Sequence, residues 1–308
     1  MGTAKIGWAC TKVSPGCTHC YAERLNRVRG TGADYSVSAF KNVELFLDEQ
    51  TLTQPLRWTR PRRIFVCSMT DLFTEQVPDE WIDRIFAVML AARRHQFLVL
   101  TKRAERLCSY LNQPGQRNVI PNRWENEPWW WLHGDDAERR EWAQEVRGGK
   151  GWPLPNVWLG VSVETPEYYN RIDLLRETPA AVRFVSLEPL LTPMPDFICY
   201  LGRECQECGY VFSRAELAKE RSDGWGHLCC DGPERCESFR WPAIDWVIVG
   251  GESGGPPERA LVDRIVPARL PRVMRRLNYL AVVRYEIKPE DLAWVRSIRD
   301  QCAAAGVA

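Results

Sequence analysis

Five short apolar runs, each closing on polar residues, constrain this chain more than any other feature. They are residues 64–67, 97–100, 157–163, 182–187 and 245–249. Runs of this length bounded by turn signals read as buried strands. After Pro78 the pattern changes: Trp81, Ile82, Ile85, Phe86, Met89 and Leu90 recur at helical spacing. A further helix is expected over about residues 167–176, and a closing one over 292–305. Strands alternating with helices need crossover connections, which give parallel βαβ units. The expected fold is α/β, a partial or complete parallel (β/α) barrel in one domain over residues 1–308. A length of 308 residues fits a barrel core of about 250 residues with insertions.

Three stretches break the rhythm and read as those insertions. Residues 111–156 carry Trp124, Trp129, Trp130, Trp131, Trp142 and Trp152, which either fasten the insertion onto the barrel or form a platform for a base or sugar. Residues 255–290 are basic, with Arg269, Arg272, Arg275 and Arg276 in a partly helical pattern. Residues 199–240 hold Cys199, Cys205, Cys208, Cys229, Cys230 and Cys236. Cys205 and Cys208 followed by Gly209 have the spacing of a zinc knuckle. Cys236 is the natural third ligand, with Cys230, Cys229 or His227 as its mate. Twelve cysteines grouped this way in a long chain point to metal binding rather than a disulfide scaffold. Cys67, Cys108 and Cys302 stand alone and read as small hydrophobes.

Cys10, Cys17 and Cys20 form a separate C-x6-C-x2-C group. They are expected on a loop between a short strand at 6–8 and a helix at 21–29, with Pro15 and Gly16 turning the chain. A structural zinc site closes with four ligands, whereas a cubane cluster held by three thiolates leaves one iron open. The polar strand tips would stand beside this loop at the C-terminal mouth of a barrel, where binding groups collect.

Charge excludes little. Lys plus Arg is 41 against 40 for Asp plus Glu, a net charge of +1, so any polyanion site must be local. One candidate is residues 55–63, where Arg57, Arg60, Arg62 and Arg63 surround Trp58; such a segment is either a phosphate-holding loop or solvated surface. Gly250 and Gly251, after the last strand, could let a phosphate or carboxylate approach the backbone. No apolar run reaches the roughly 18 residues of a membrane span, and the first residues lack a signal-peptide layout. A cytoplasmic protein without membrane contact is expected.

The cysteine loop resembles the cluster loop of radical S-adenosylmethionine (SAM) enzymes, with six residues in the first gap instead of three. The segments FVCSMTDLF (65–73), FLVLTKRAER (97–106), VWLGVSVET (157–165), VRFVSLEPLL (182–191) and DWVIVGGESG (245–254) extend the likeness. Together they resemble a phage- and bacteria-associated three-cysteine-motif family of unassigned function, itself similar to spore photoproduct lyase. The resemblance implies a radical-SAM-type barrel with an inserted zinc-binding segment. It implies a 4Fe-4S cluster on Cys10, Cys17 and Cys20, and SAM lying across the mouth near Thr70, Asp71, Lys102, Ser162, Glu164 and Glu188. The activity implied is generation of a 5′-deoxyadenosyl radical, in a lyase or transferase, acting on a nucleotide or nucleic acid for repair or base modification. An electron donor such as flavodoxin or ferredoxin would serve it, and zinc would sit on Cys205, Cys208, Cys230 and Cys236. The alternative is a zinc-binding nucleic-acid-binding or scaffolding protein without catalytic activity.

Overall fold

The computed structural model describes residues 7–128, 136–201, 203–204, 211–212, 244–250, 262–267, 283–287, 289–305 and 307. Its helices are α1 (Tyr21–Arg29), α2 (Val37–Phe40), α3 (Glu49–Arg57), α4 (Asp79–Ala91), α5 (Ala104–Leu111), α6 (Gln116–Asn126), α7 (Asp136–Arg147), α8 (Asn170–Glu177) and α9 (Pro289–Ala305). The strands are β1 (Arg63–Val66), β2 (Gln96–Thr101), β3 (Val157–Ser162), β4 (Val182–Leu187), β5 (Arg203–Glu204), β6 (Val211–Phe212), β7 (Trp246–Val249), β8 (Val262–Pro267) and β9 (Val283–Ile287).

The centre is one five-stranded sheet in the order β1-β2-β3-β4-β7, with every pairing parallel. Its strands follow the apolar runs because only such runs can be covered along a whole face. Phe97, Val99 and Thr101 of β2 are buried, and Leu98 and Leu100 between them are half-buried. Among the described residues the sheet is open, with β1 at one edge and β7 at the other. The α/β class with parallel strands therefore stands, and no closed barrel is formed by these strands.

Helix α4 begins after Pro78, with Asp79 and Glu80 in its first turn, where acidic groups oppose the helix dipole. It buries Ile82, Phe86, Met89 and Leu90, while Trp81 and Ile85 are half-buried. Burial of each such side chain contributes about 1.5–3 kcal/mol. Helix α6 lies against α4, and α7 against α6, so the described part of the 111–156 insertion adds a helical layer over α4. Trp124 is buried, and Trp142 Nε1 donates to the Leu90 carbonyl at 3.2 Å. Trp152 packs against the same core. These three tryptophans fasten the insertion; Trp129, Trp130 and Trp131 lie outside the described residues.

One expectation meets a different local structure, and another falls largely outside the described residues. Gly7 and Trp8 form no strand; the Trp8 amide donates to Asn26 Oδ1 of α1 at 3.0 Å, so this stretch is tied to a helix and not to a sheet neighbour. Within 255–290, the described residues are the strands β8 and β9, which pair antiparallel in a small sheet of their own, and the start of α9; Arg269, Arg272, Arg275 and Arg276, where a partly helical pattern was expected, lie outside the described residues. The two strands do not extend the parallel sheet.

Candidate functional site

The cysteine loop crosses the C-terminal ends of the parallel strands and is fastened at alternate points. Pro15–Cys17 forms a single 3-10 turn, and Cys20 caps the start of α1. Next to Cys10, the Thr11 carbonyl and hydroxyl accept hydrogen bonds from Arg103 Nη2 at 2.9 and 2.6 Å. Lys12 pairs with Glu23 of α1 at 2.8 Å. Ser14, whose Oγ lies 3.7 Å from Cys17 Sγ, donates to Glu164 Oε1. A Cβ on Gly16 would stand 2.6 Å from Glu164 Oε1, so only glycine lets the loop approach this carboxylate. Farther on, Tyr21 donates to the Ser68 carbonyl and Tyr35 to the Met69 carbonyl, the latter at 2.7 Å. The long first gap between thiols thus holds three anchored residues, which fix the thiols before any ligand arrives.

Two of the expected cofactor contacts prove to be the far ends of these anchors. Asp71 accepts from Thr101 Oγ1 at 2.7 Å, the Lys102 amide at 3.0 Å, Arg103 Nη1 at 3.0 Å and the Phe73 amide at 3.0 Å. Those four bonds fill the roughly four lone-pair sites of a carboxylate. Glu164 is fully buried and receives Lys102 Nζ at 3.1 Å and Arg171 Nη1 at 3.0 Å besides Ser14. Burial alone would push its carboxyl up, but Lys102, the Ser14 hydroxyl and Arg171 outweigh that and hold it below the ordinary value. Arg171 is itself seated by the Ser162 carbonyl at 2.7 Å and by the Tyr168 ring at 4.1 Å.

Between the loop and the strand ends lies a cavity of about 410 Å³. Cys10, Cys17 and Cys20 all line it, and so do Thr70, Asp71, Lys102, Ser162 and Glu188. Glu164 stands behind that lining. Lys102 Nζ donates to Ser162 Oγ at 2.6 Å, and Ser186 donates to Glu188 Oε2 at 2.9 Å. Glu188 is exposed, and among the described residues its remaining acceptor sites are open to a ligand. A Cβ on Gly250 would lie 2.2 Å from Glu188 Oε1, which gives the glycine after β7 a steric reason. Burial pushes the Cys10 thiol up to about 11, with Arg103 opposing the shift.

One lining residue was not singled out by its sequence context. Cys67 is half-buried, lines the same cavity and has φ of 55°. It does pack partly against the core, as a lone cysteine should, but it also faces the three-thiol loop. Burial, then Asp71, pushes its thiol up to about 12. Of the other lone cysteines, Cys108 is half-buried and Cys302 buried.

Three thiols around one cavity are a donor set that a cluster with one open iron could use. Among the described residues no group of three or more His, Cys, Asp or Glu side chains converges to hold one metal ion. A zinc ion needs its ligands within about 2.0–2.3 Å of one point, whereas a cluster offers each thiolate a different iron. Cys205, Cys208, Cys230 and Cys236 lie outside the described residues, as do Cys229 and His227.

The model of the family described as "Protein of unknown function (DUF5131)" matches residues 4–264, and the chain belongs to that family. No curated protein and no solved structure matches the chain.

Proposed function

We propose that this member of the DUF5131 family is an iron–sulfur enzyme of the radical-SAM type. Cys10, Cys17 and Cys20 would ligate three irons of a 4Fe-4S cluster, and the adjoining cavity would receive SAM. The observation that carries this reading is the placement of three thiols from one anchored loop around a single cavity, at the C-terminal ends of parallel strands. Once bound, and with one electron from an external reductant, the cluster and SAM would supply a 5′-deoxyadenosyl radical for hydrogen abstraction from a substrate.

The chain's own residues would bind and orient. Thr70 and Glu188 line the cavity and suit ribose hydroxyls or an ammonium group, and Glu188 would form the charge-assisted bond. Lys102 and Ser162 form a hydrogen-bonded floor. Asp71 and Glu164 would act through the loop, holding Thr11 and Ser14 in place. We further assign zinc to Cys205, Cys208, Cys230 and Cys236, a nucleotide or nucleic acid as substrate, flavodoxin or ferredoxin as reductant, and the cytoplasm as location.

Zinc in both cysteine groups, without catalysis, is the competing reading. It has one observation in its favour, since Cys67 lines the same cavity and offers a fourth thiol. Metal analysis of anaerobically purified protein separates the two. The radical-SAM reading expects about four irons and about one zinc per chain. Replacing Cys10, Cys17 and Cys20 by alanine should remove the iron and leave the zinc. Zinc in both sites would refute the proposal.

A further inference from the structure

The sheet has a second end. The strands run parallel, so Arg63, Gln96 and Val157 mark its N-terminal edge, opposite the cavity that the cysteines line. The six residues of β2 put this edge about 17 Å from that mouth. A concavity of about 560 Å³ opens there, lined by Pro61, Arg62, Arg63, Arg93, Arg94, His95, Gln96, Pro155 and Asn156. Among the described residues, four arginines and no carboxylate line it. Arg57 and Arg60 follow on in the same exposed basic segment.

What sets this place apart is that its arginines are gathered around one concavity. Arg84, Arg103, Arg106, Arg123, Arg147 and Arg171 are all paired with carboxylates. Among the described residues, Arg57, Arg60, Arg62, Arg63 and Arg94 form no ion pair, in a chain whose net charge is only +1. Some of the guanidinium groups that line the concavity are pre-set. Arg62 lies 4.4 Å over the Trp58 ring, Arg93 lies 5.5 Å from the Trp142 ring, and Arg63 Nε donates to Gln96 Oε1 at 3.1 Å. Below them His95 is buried and neutral, its Nε2 donating to the Pro55 carbonyl at 2.9 Å and its Nδ1 accepting from the Arg62 amide at 3.1 Å. That bond ties the 61–63 segment to the 93–96 turn, so both arginine pairs are held beside one concavity.

We propose that this edge binds the phosphate backbone of single-stranded nucleic acid. Arg62, Arg63 and Arg94, without ion pairs among the described residues and gathered at a shared concavity, offer the chemistry of phosphate recognition. The concavity seats groups the size of a nucleotide and not the body of a duplex, and a concave site suits a flexible strand better than a flat bilayer. The inference is independent of the chemistry at the cysteine loop, because the two sites occupy opposite ends of the strands.

The test is fluorescence anisotropy with a short labelled oligothymidylate, read between about 50 and 200 mM salt. Engagement of three or four arginines gives a slope of log K against log salt of roughly −2 to −3, since each phosphate contact on a single strand contributes about −0.7. Arg62→Gln combined with Arg94→Gln should weaken binding about tenfold or more and reduce the slope by about 1.4. Arg62→Lys with Arg94→Lys retains the charges and should keep most of the slope; this pair also controls for folding. Arg29→Gln, an exposed change on α1, should leave binding unaltered. Unchanged binding in the glutamine variant overturns the proposal. Tighter binding of a duplex, of free ATP, or of phosphatidylserine vesicles than of the oligonucleotide overturns it as well.

Discussion

Glu164→Gln removes one negative charge from the most buried part of the candidate site. The side chain is fully buried and is shared by two cations, Lys102 at 3.1 Å and Arg171 at 3.0 Å. Arg171 is almost as buried as its partner, with 5% of its side chain exposed, so it cannot recover its lost partner from water. Removing one member of a buried pair costs about 3–5 kcal/mol. Lys102 keeps Ser162, Arg171 keeps the Ser162 carbonyl, and a glutamine oxygen still accepts, which places the cost near the lower bound, about 3 kcal/mol. For a chain of this size that lowers the melting temperature by about 5 °C. Urea unfolding at neutral pH should show a lower midpoint with an unchanged slope. The thiols should also report the change, because Ser14 loses a charged acceptor and Cys17 should alkylate faster in the metal-free variant. A variant as stable as the parent, with Cys17 equally protected, would refute the idea that Glu164 anchors the loop. The pH dependence has a definite sign. Glu164 and Glu23 are both held below the ordinary carboxylate value, Glu23 by Lys12, the Tyr35 amide and Arg27 against burial. Their stabilisation is present above the unfolded value of about 4.3 and is lost as pH falls through the lower folded values. The loop should therefore loosen in acid before the helical layer over α4 does.

Three further outcomes follow from the geometry. Arg103→Lys loses the forked contact with Thr11 and Asp71, and amide exchange over residues 10–14 should accelerate at least tenfold; unchanged protection would show that the fork is not an anchor. Cys67→Ala should leave the iron content unchanged if three thiolates hold the cluster, and loss of iron in this variant would make Cys67 a fourth ligand. Glu188→Gln should weaken SAM binding by about one to two decades with iron retained, the loss of one charge-assisted bond worth about 1.5–3 kcal/mol, as read by isothermal titration. Equal affinity would place the cofactor away from Glu188.

How much of this was legible in the chain varies with the range of the interaction. The strands are read to within a residue or two, because burial of a whole strand needs a continuous apolar run, and α1 is read at its observed bounds of Tyr21–Arg29. The strand expected at 6–8 was not found at Gly7 and Trp8, where a local alternative won: the Asn26 side chain captures the Trp8 amide. The strand tips were recognisable as a group, since parallel strands send their C-terminal residues to one end. Their partners were not. Glu164 meets Ser14 across 150 residues and Arg103 meets Thr11 across 92, and no periodicity encodes which pairs will meet. For the same reason the sequence could not show that Asp71 receives four internal donors and Glu164 three. The basic segment at 55–63 was visible, but its assembly with Arg93 and Arg94 depends on the register of β1 against β2, in which Arg63 faces Gln96.

The central claim is that the three-thiol loop holds a cluster with an open iron to which SAM binds and is reductively cleaved. It is tested most directly by reconstituting the protein anaerobically with iron and sulfide, adding SAM and a strong one-electron reductant, and measuring 5′-deoxyadenosine. The predicted result is formation of 5′-deoxyadenosine by the reconstituted protein and none by the variant with Cys10, Cys17 and Cys20 replaced by alanine. A protein that binds about four irons yet releases no 5′-deoxyadenosine above that variant would contradict the claim.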